Sequence, residues 1–262
     1  MTRSAVVGPA ALPGFALLEA PAHWRAIDFI SDLHLQQSEP QTLAAWRRYM
    51  AATPADAVFI LGDLFEVWVG DDAAREPGLE ADCGAVIREA SERLAVYLMH
   101  GNRDFLVGEQ FMRDCHATLL DDPTALDFAG TRWLLTHGDA LCLADVDYLK
   151  FREQVRAPQW QKDFLARPLP QRKAIARDLR AQSEAAKASM TDYADVDGPA
   201  AATWMRATQS QVLIHGHTHK PADHPLEVWR RIVLSDWDAA ATPARLEALR
   251  IDTAGARRVA LS

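Results

Sequence analysis

Five times along this chain a short apolar run ends in a turn carrying aspartate, histidine or asparagine. The segments are FISDLHL (29–35), FILGDLFEVWVGDD (59–72), LMHGNRDF (98–105), LLTHGDAL (134–141) and LIHGHTHKP (213–221). This recurrence constrains the fold more than any other feature. Continuous short runs of Val, Ile, Leu and Phe suit strands covered on both faces. In open α/β sheets, sites form at the carboxyl ends of such strands. Five strand ends with the same kind of polar cargo can therefore build one shared cluster.

The wider pattern fits. Residues 26–31, 57–61, 95–99, 132–136, 211–215 and 230–234 read as strands, with helix candidates at 41–53, 80–93, 108–116 and 198–209. Alternating strands and helices predict an α/β sandwich. The 262 residues read as one large domain, 24–262, behind an extension, 1–23. In that extension Gly8, Pro9, Pro13 and Gly14 interrupt the apolar stretch after Arg3, so it does not read as a secretory signal. A frayed arm or an added edge strand is expected there, and the tail after residue 235 is expected to complete the second sheet. No apolar run approaches the roughly 18 residues of a membrane span. Cys83, Cys115 and Cys142 lie far apart with no C-x-x-C pair, which points to a reducing, cytoplasmic setting rather than a disulfide framework or zinc ribbon.

Residues 145–190 differ from the rest. They read as two or three helices broken at Pro158, Pro168 and Pro170. Ten Lys/Arg against six Asp/Glu leave this insert at +4, in a chain whose net charge is -8. It also carries Phe151, Trp160, Phe164, Leu165, Ile175 and Leu179. A basic, amphipathic helical insert beside an acidic body predicts a lid for an anionic, apolar ligand. The alternative is a solvated hairpin packed on the core. The acidic body argues against nucleic acid as a partner.

The polar turns supply Asp32, His34, Asp63, Asn102, His137, His217 and His219 as candidate metal ligands. On an extended segment residues i and i+2 point the same way, so Asp32/His34 and His217/His219 could each face one ion. Seven ligands exceed the four of one tetrahedral zinc. Shared between two ions, with one carboxylate bridging, they leave room for water and substrate. Mixed nitrogen and oxygen donors without thiolate suit Mn²⁺, Fe²⁺, Zn²⁺ or Co²⁺, and paired ions about 3.5–4 Å apart are common apparatus for phosphoryl hydrolysis. Gly62, Gly101, Gly138 and Gly216 are expected to let the chain turn beside these ligands.

The order D-x-H, G-D, G-N-[HR]-[DE], [TM]-H-G-D, G-H-T-H resembles the calcineurin-like metallophosphoesterase superfamily. That resemblance implies a four-layer α/β/β/α sandwich with a dimetal site at its strand ends. GDLFEVWVGDD, HGNRDF, THGDALCLAD, HGHTHKP and the insert stretch RKAIARDLRAQSEAAK resemble more narrowly the UDP-2,3-diacylglucosamine hydrolases of lipid A biosynthesis. The narrower resemblance implies cleavage of the substrate's pyrophosphate bond to UMP and 2,3-diacylglucosamine 1-phosphate. It implies two Mn²⁺ per chain and a peripheral position on the cytoplasmic face of the inner membrane. It also implies that Asp32, His34, Asp63 and His219 hold one ion, and that Asp63 bridges to a second held by Asn102, His137 and His217.

Substrate contacts are implied for Asn102, Arg103, His217 and, on the insert, Asp145 and Ser183. Arg180, one turn before Ser183, is a candidate phosphate partner or else a surface ion pair. Lys187 and Met190 stand where the family pattern has Asn and Lys, so the basic contact is read as shifted by one helical turn to Lys187. Nothing in the chain suggests a repeated interface, so a monomer is expected.

Arg103 departs from the wider superfamily, where a histidine placed to protonate the leaving group is common. Arginine does not deprotonate near neutral pH, so it cannot be that acid; it can clamp phosphate bidentately. A sugar-phosphate leaving group, with a second pKa of about 6, needs little protonation. Arg103 thus favours a diphosphate substrate, with metal-activated water attacking the α-phosphorus and Arg103 and His217 stabilising the developing charge. The rivals are a nucleotide pyrophosphatase or phosphodiesterase acting on soluble substrates, and a non-catalytic scaffold on the same fold.

Overall fold

The computed structural model describes residues 12–188 and 194–261, with only the backbone from 182 to 188. Among them, in chain order, are β1 (Ala16–Glu19), β2 (Ala26–Ile30), α1 (Pro40–Ala52), β3 (Ala57–Leu61), α2 (Leu79–Ser91), β4 (Ala95–Met99), α3 (Glu109–Asp114), β5 (Thr118–Leu120), β6 (Thr124–Phe128) and β7 (Thr131–Leu135). There follow α4 (Val146–Arg156), α5 (Pro158–Leu165), α6 (Leu169–Ala188), α7 (Gly198–Thr208), β8 (Val212–His215), β9 (Ala222–Leu226), β10 (Trp229–Val233), β11 (Glu247–Asp252) and β12 (Gly255–Ala260).

Two six-stranded sheets result, ordered β12-β11-β2-β3-β4-β5 and β1-β6-β7-β8-β10-β9. Strands β2 to β5 run parallel, as do β7, β8 and β10, with antiparallel strands outside them. The period-two alternation of strand side chains assigns the layers. Ile27, Phe29, Ala57, Phe59 and Leu61 meet Trp133, Leu135, Val212 and Ile214 between the sheets. In register across three strands, Phe59 stacks on Phe29 at 5.1 Å and on Tyr97 at 4.4 Å between ring centroids. Ile30, Val58, Ile60 and Leu98 point the other way, into a core shared with Trp46, Met50, Ile87 and Phe111 of α1, α2 and α3. Leu134 and Leu213 face Ala201, Trp204 and Met205 of α7. Helix, sheet, sheet, helix is the four-layer order expected.

The extension and the tail both find places. β1 adds a parallel edge strand beside β6. β11 pairs antiparallel with β2, so the tail completes the sheet begun by the first strands rather than the one built from the later ones. One polar cluster secures that junction. Asp28, fully buried on β2, accepts hydrogen bonds from Arg250 Nε and Nη2 (both 2.7 Å), from the Tyr49 hydroxyl (3.0 Å) and from Thr53 Oγ1 (2.6 Å). Replacing Arg250 by methionine leaves a buried carboxylate without its cation, and removing one partner of a buried pair costs about 3–5 kcal/mol. We expect denaturant unfolding of Arg250→Met to show a loss of about that size, with Asp28→Asn in the same background recovering a large part of it.

The 145–190 stretch forms three helices. Pro158 opens α5, whereas Pro170 sits in the first turn of α6, where its missing N–H removes no helical bond. It is not a break. Trp160, Phe164 and Ile175 pack into the core of the β2–β5 side, with Trp160 and Phe164 stacked at 5.0 Å. These three side chains therefore contribute to the body's packing, Phe164 fully and Trp160 and Ile175 in part. Val146 and Leu165 remain 47% and 41% exposed. All three thiols are buried and unpaired, and burial pushes each up to about 12.

Candidate metal centre

The seven candidate ligands converge at the carboxyl ends of β2, β3, β4, β7 and β8. Asp32, His34 and His219 form one group that could hold an ion, and Asp32, Asp63 and His137 another. Asp63 Oδ2 lies 3.8 Å from both His34 Nε2 and His137 Nε2, between the two imidazoles. Asn102 Oδ1 lies 3.0 Å from His137 Nε2 and 2.8 Å from His217 Nδ1. His219 Nε2 lies 3.4 Å from Asp32 Oδ1.

Extended backbone is not what aims these side chains. Asp32, His34, Asp63, His217 and His219 all have positive φ, between 48° and 65°. Each D-x-H or H-x-H pair thus turns through two left-handed residues instead of alternating along a strand. Left-handed backbone costs about 1–2 kcal/mol per non-glycine residue, and such strain persists only where surroundings impose it. Here they do: Leu33 and His34 N–H donate to Asp63 O, and His217 N–H donates to the Asp32 carboxylate.

The glycines divide into two kinds. Gly62 and Gly138 have φ of +89° and +110° and do turn the chain. Gly101 and Gly216 instead make room: a Cβ on Gly101 would lie 2.0 Å from Asp63 Oδ1, and one on Gly216 2.3 Å from Asp32 Oδ2.

The donor set fits cations. His137 Nδ1 donates to Leu61 O at 2.9 Å, leaving the Nε2 lone pair facing the carbonyl oxygen of Asn102. His34 Nδ1 lies 2.8 Å from Glu66 Oε2, and His219 Nδ1 lies on the side of Asp236, at 3.8 Å. The two Nε2 atoms lie 3.3 Å apart. Imidazole nitrogens and carboxylate oxygens gathered this closely call for positive charge between them. Titration carries the same message. Burial works against a charged His137, yet Asp63, Asp32 and Asp139 outweigh it and push the ring up to about 9. Burial also works against ionised Asp32, yet His219, His137 and His34 hold its carboxyl well below the usual range. His217, by contrast, is pushed down to about 3 by burial and by His137, as suits a neutral ligand.

Carboxylates to which the sequence assigned no part hold the loops. Asp104, fully buried, accepts from Gly101 N (2.8 Å), Leu64 N (2.8 Å) and Asp63 N (3.3 Å), tying the GNRD turn to the GD turn. Asp139, in the HGD turn, accepts from the Tyr148 hydroxyl (2.5 Å) and Arg152 Nε (2.8 Å), fastening α4 beside His137. Both residues stand inside the quoted motifs, which was the available signal. His100, in a turn, bonds Val107 O at 2.6 Å and takes no part in the cluster.

A cleft of about 340 Å³ opens over the cluster, lined in part by His34, Asp63, Asn102, Arg103, Arg180 and His217. The Arg103 backbone N–H donates to Asp63 Oδ1 at 2.8 Å, and its guanidinium lies 3.5 Å from Glu66. Arg180 reaches the same cleft from α6. Asp145 caps α4, accepting from Tyr148 N at 3.1 Å. Ser183 and Lys187 lie on the last turns of α6, where side chains are not described, and Met190 falls outside the described residues.

Residues 26–221 match the family model of the calcineurin-like phosphoesterases. A UDP-2,3-diacylglucosamine hydrolase of Marinobacter nauticus is 47% identical over 218 residues, covering 80% of this chain and 88% of that one. The protein of the same name from Chromobacterium violaceum is 48% identical, over 81% and 90% of the two chains, and that of Pseudomonas aeruginosa 40%, over 88% and 96%. Family and site agree on divalent metal use. The chain belongs to the calcineurin-like phosphoesterase family and, within it, to the family of the UDP-2,3-diacylglucosamine hydrolases.

Proposed function

We propose that this protein hydrolyses the pyrophosphate bond of UDP-2,3-diacylglucosamine in lipid A biosynthesis, releasing UMP and 2,3-diacylglucosamine 1-phosphate. The observation that carries this is the convergence of all seven candidate ligands and Arg103 in a chain 47% identical to a hydrolase of that name. Two Mn²⁺ per chain are assigned, one to Asp32, His34, Asp63 and His219, the other to Asp63, Asn102, His137 and His217. When bound, such ions lower the pKa of water and neutralise phosphoryl oxygens.

The chain's own residues do the rest. Asp63, anchored through Oδ1 by the Arg103 N–H, turns Oδ2 toward both halves of the site. Arg103 and His217 flank the α-phosphate and stabilise charge on it. The sugar phosphate departs without a protein acid, which is why a fixed cation serves where relatives in the superfamily use histidine. Asp145, Arg180, Ser183 and Lys187 are assigned to the headgroup. Residues 24–262 act as one catalytic domain in which 145–190 is an insert over the site. The monomer acts at the cytoplasmic face of the inner membrane, held peripherally. No helix among the described residues is long and apolar enough to cross a bilayer; in support of a peripheral position, the insert carries +4 over residues 145–190 and exposes Val146 and Leu165.

The test is hydrolysis of UDP-2,3-diacylglucosamine with added Mn²⁺, scored for UMP and lipid phosphate, beside His34→Ala. UMP from the wild type alone is the expected result. No UMP, together with turnover of a soluble nucleotide diphosphate or diester, would keep the site and sink the lipid substrate.

A further inference from the structure

Glu66 touches His34, Arg103 and Arg180, three residues that line this cleft. It follows Asp63 by three positions in GDLFE, and only 7% of its surface is exposed. Oε2 lies 2.8 Å from His34 Nδ1. Oε1 lies 3.3 Å from Arg180 Nε and 3.5 Å from Arg103 Nη1. Arg180 Nη1 also donates to Gln36 Oε1 at 3.3 Å, and Gln36 in turn donates to Glu39 Oε1 at 2.7 Å. A buried carboxylate survives only with compensating partners.

One oxygen shared by two guanidiniums fixes their spacing. Arg103 belongs to the GNRD turn of the body, Arg180 to α6. Without the carboxylate the two cations would repel each other at close range, and Arg180, 31% exposed, would lose the contact that sets its distance from Arg103. We infer that Glu66 is a positioning residue that sets Arg103 and Arg180 as a two-armed clamp for the two phosphates of a diphosphate, thereby latching α6 onto the metal centre, while its other oxygen orients His34. Two guanidiniums held side by side can take one phosphate each, which matches the two phosphates of a diphosphate. This inference rests on the proposed diphosphate substrate.

The experiment is a double-mutant cycle on kcat/KM with the UDP-linked lipid at saturating Mn²⁺. We expect Glu66→Gln to lose about 30-fold and Arg180→Ala about 10-fold. The double variant should fall no more than about twofold below Glu66→Gln, because the second arm is already misplaced; independent residues would multiply. Glu66→Asp, which keeps the charge, should recover part of the loss. Multiplied losses, or a Glu66→Gln enzyme within about threefold of wild type, would overturn the clamp. Calorimetric Mn²⁺ titration needs no substrate: Glu66→Gln should bind about 10-fold or more weakly through His34, and Arg180→Ala should bind like wild type. Unchanged affinity in Glu66→Gln would remove the His34 arm. If the wild type leaves the lipid intact, the titration still decides that arm, and the same cycle on UDP-glucosamine decides the clamp.

Discussion

Asp63→Asn should lower kcat by at least about a thousandfold while leaving the fold intact. The asparagine keeps the shape of the side chain and can still accept the Arg103 N–H through its carbonyl oxygen. What it loses is charge at the one point equidistant from the imidazoles of His34 and His137. On the proposed assignment Asp63 would serve both ions, so a single neutralisation would weaken both halves of the site, and charge stabilisation in a water-poor site is usually the largest catalytic contribution. The metal-free variant should melt no lower than the metal-free wild type, because Asp63 crowds against the buried carboxylate of Asp104, which both burial and Asp63 push up. Steady-state assays across a Mn²⁺ series, with thermal melts in chelator, check both halves. Retention of more than about a tenth of the activity at saturating metal would remove Asp63 from the bridging role.

Arg103→Ala should cost about 10²–10³ in kcat/KM on the native lipid, the scale seen when one charge-stabilising donor is removed from a preorganised site. The residue is well placed for it. Its backbone is tied to Asp63 Oδ1 and its guanidinium is held at the cleft by Glu66. Arg103→His tests the chemistry directly. Histidine can donate a proton but cannot grip phosphate bidentately, so this variant should fail on the diphosphate nearly as badly as alanine. If both variants turn over the lipid at near the wild-type rate, the clamp assignment is wrong.

Much of this architecture is legible in the chain because its chemistry has no packing substitute. Asp32, His34, Asp63, Asn102, His137, His217 and His219 stand at the ends of continuous apolar runs, and those runs are β2, β3, β4, β7 and β8 within a residue or two. The strands that escape sequence reading include interior β6 and β11 as well as edge strands. β9 is ADHPL, with a proline, and β12 is GARRVA, with two arginines. Neither alternates cleanly, because edge strands meet water on one side and are set by the neighbour they pair with. In the insert, packing that the sequence does not announce sets Trp160, Phe164 and Ile175 against the core. In sequence Glu66 reads either as a residue behind the ligands or as a loop carboxylate, since its partners His34, Arg103 and Arg180 are scattered through the chain. The geometry of D-x-H is the remaining gap: the pairs face one centre, but through left-handed turns that no side-chain pattern announces.

Those left-handed turns also filter the evolutionary paths open to the site. At φ near +50° a β-branched residue is excluded and most others are penalised, while Asn, Asp, His and Gly are tolerated. Random change at positions 32, 34, 63, 217 and 219 is therefore channelled toward a small alphabet that still offers oxygen or nitrogen donors, or toward glycine. A lineage can lose a ligand here and keep a backbone ready to regain it by a single substitution, so the capacity to bind metal outlasts the loss of any one side chain that confers it.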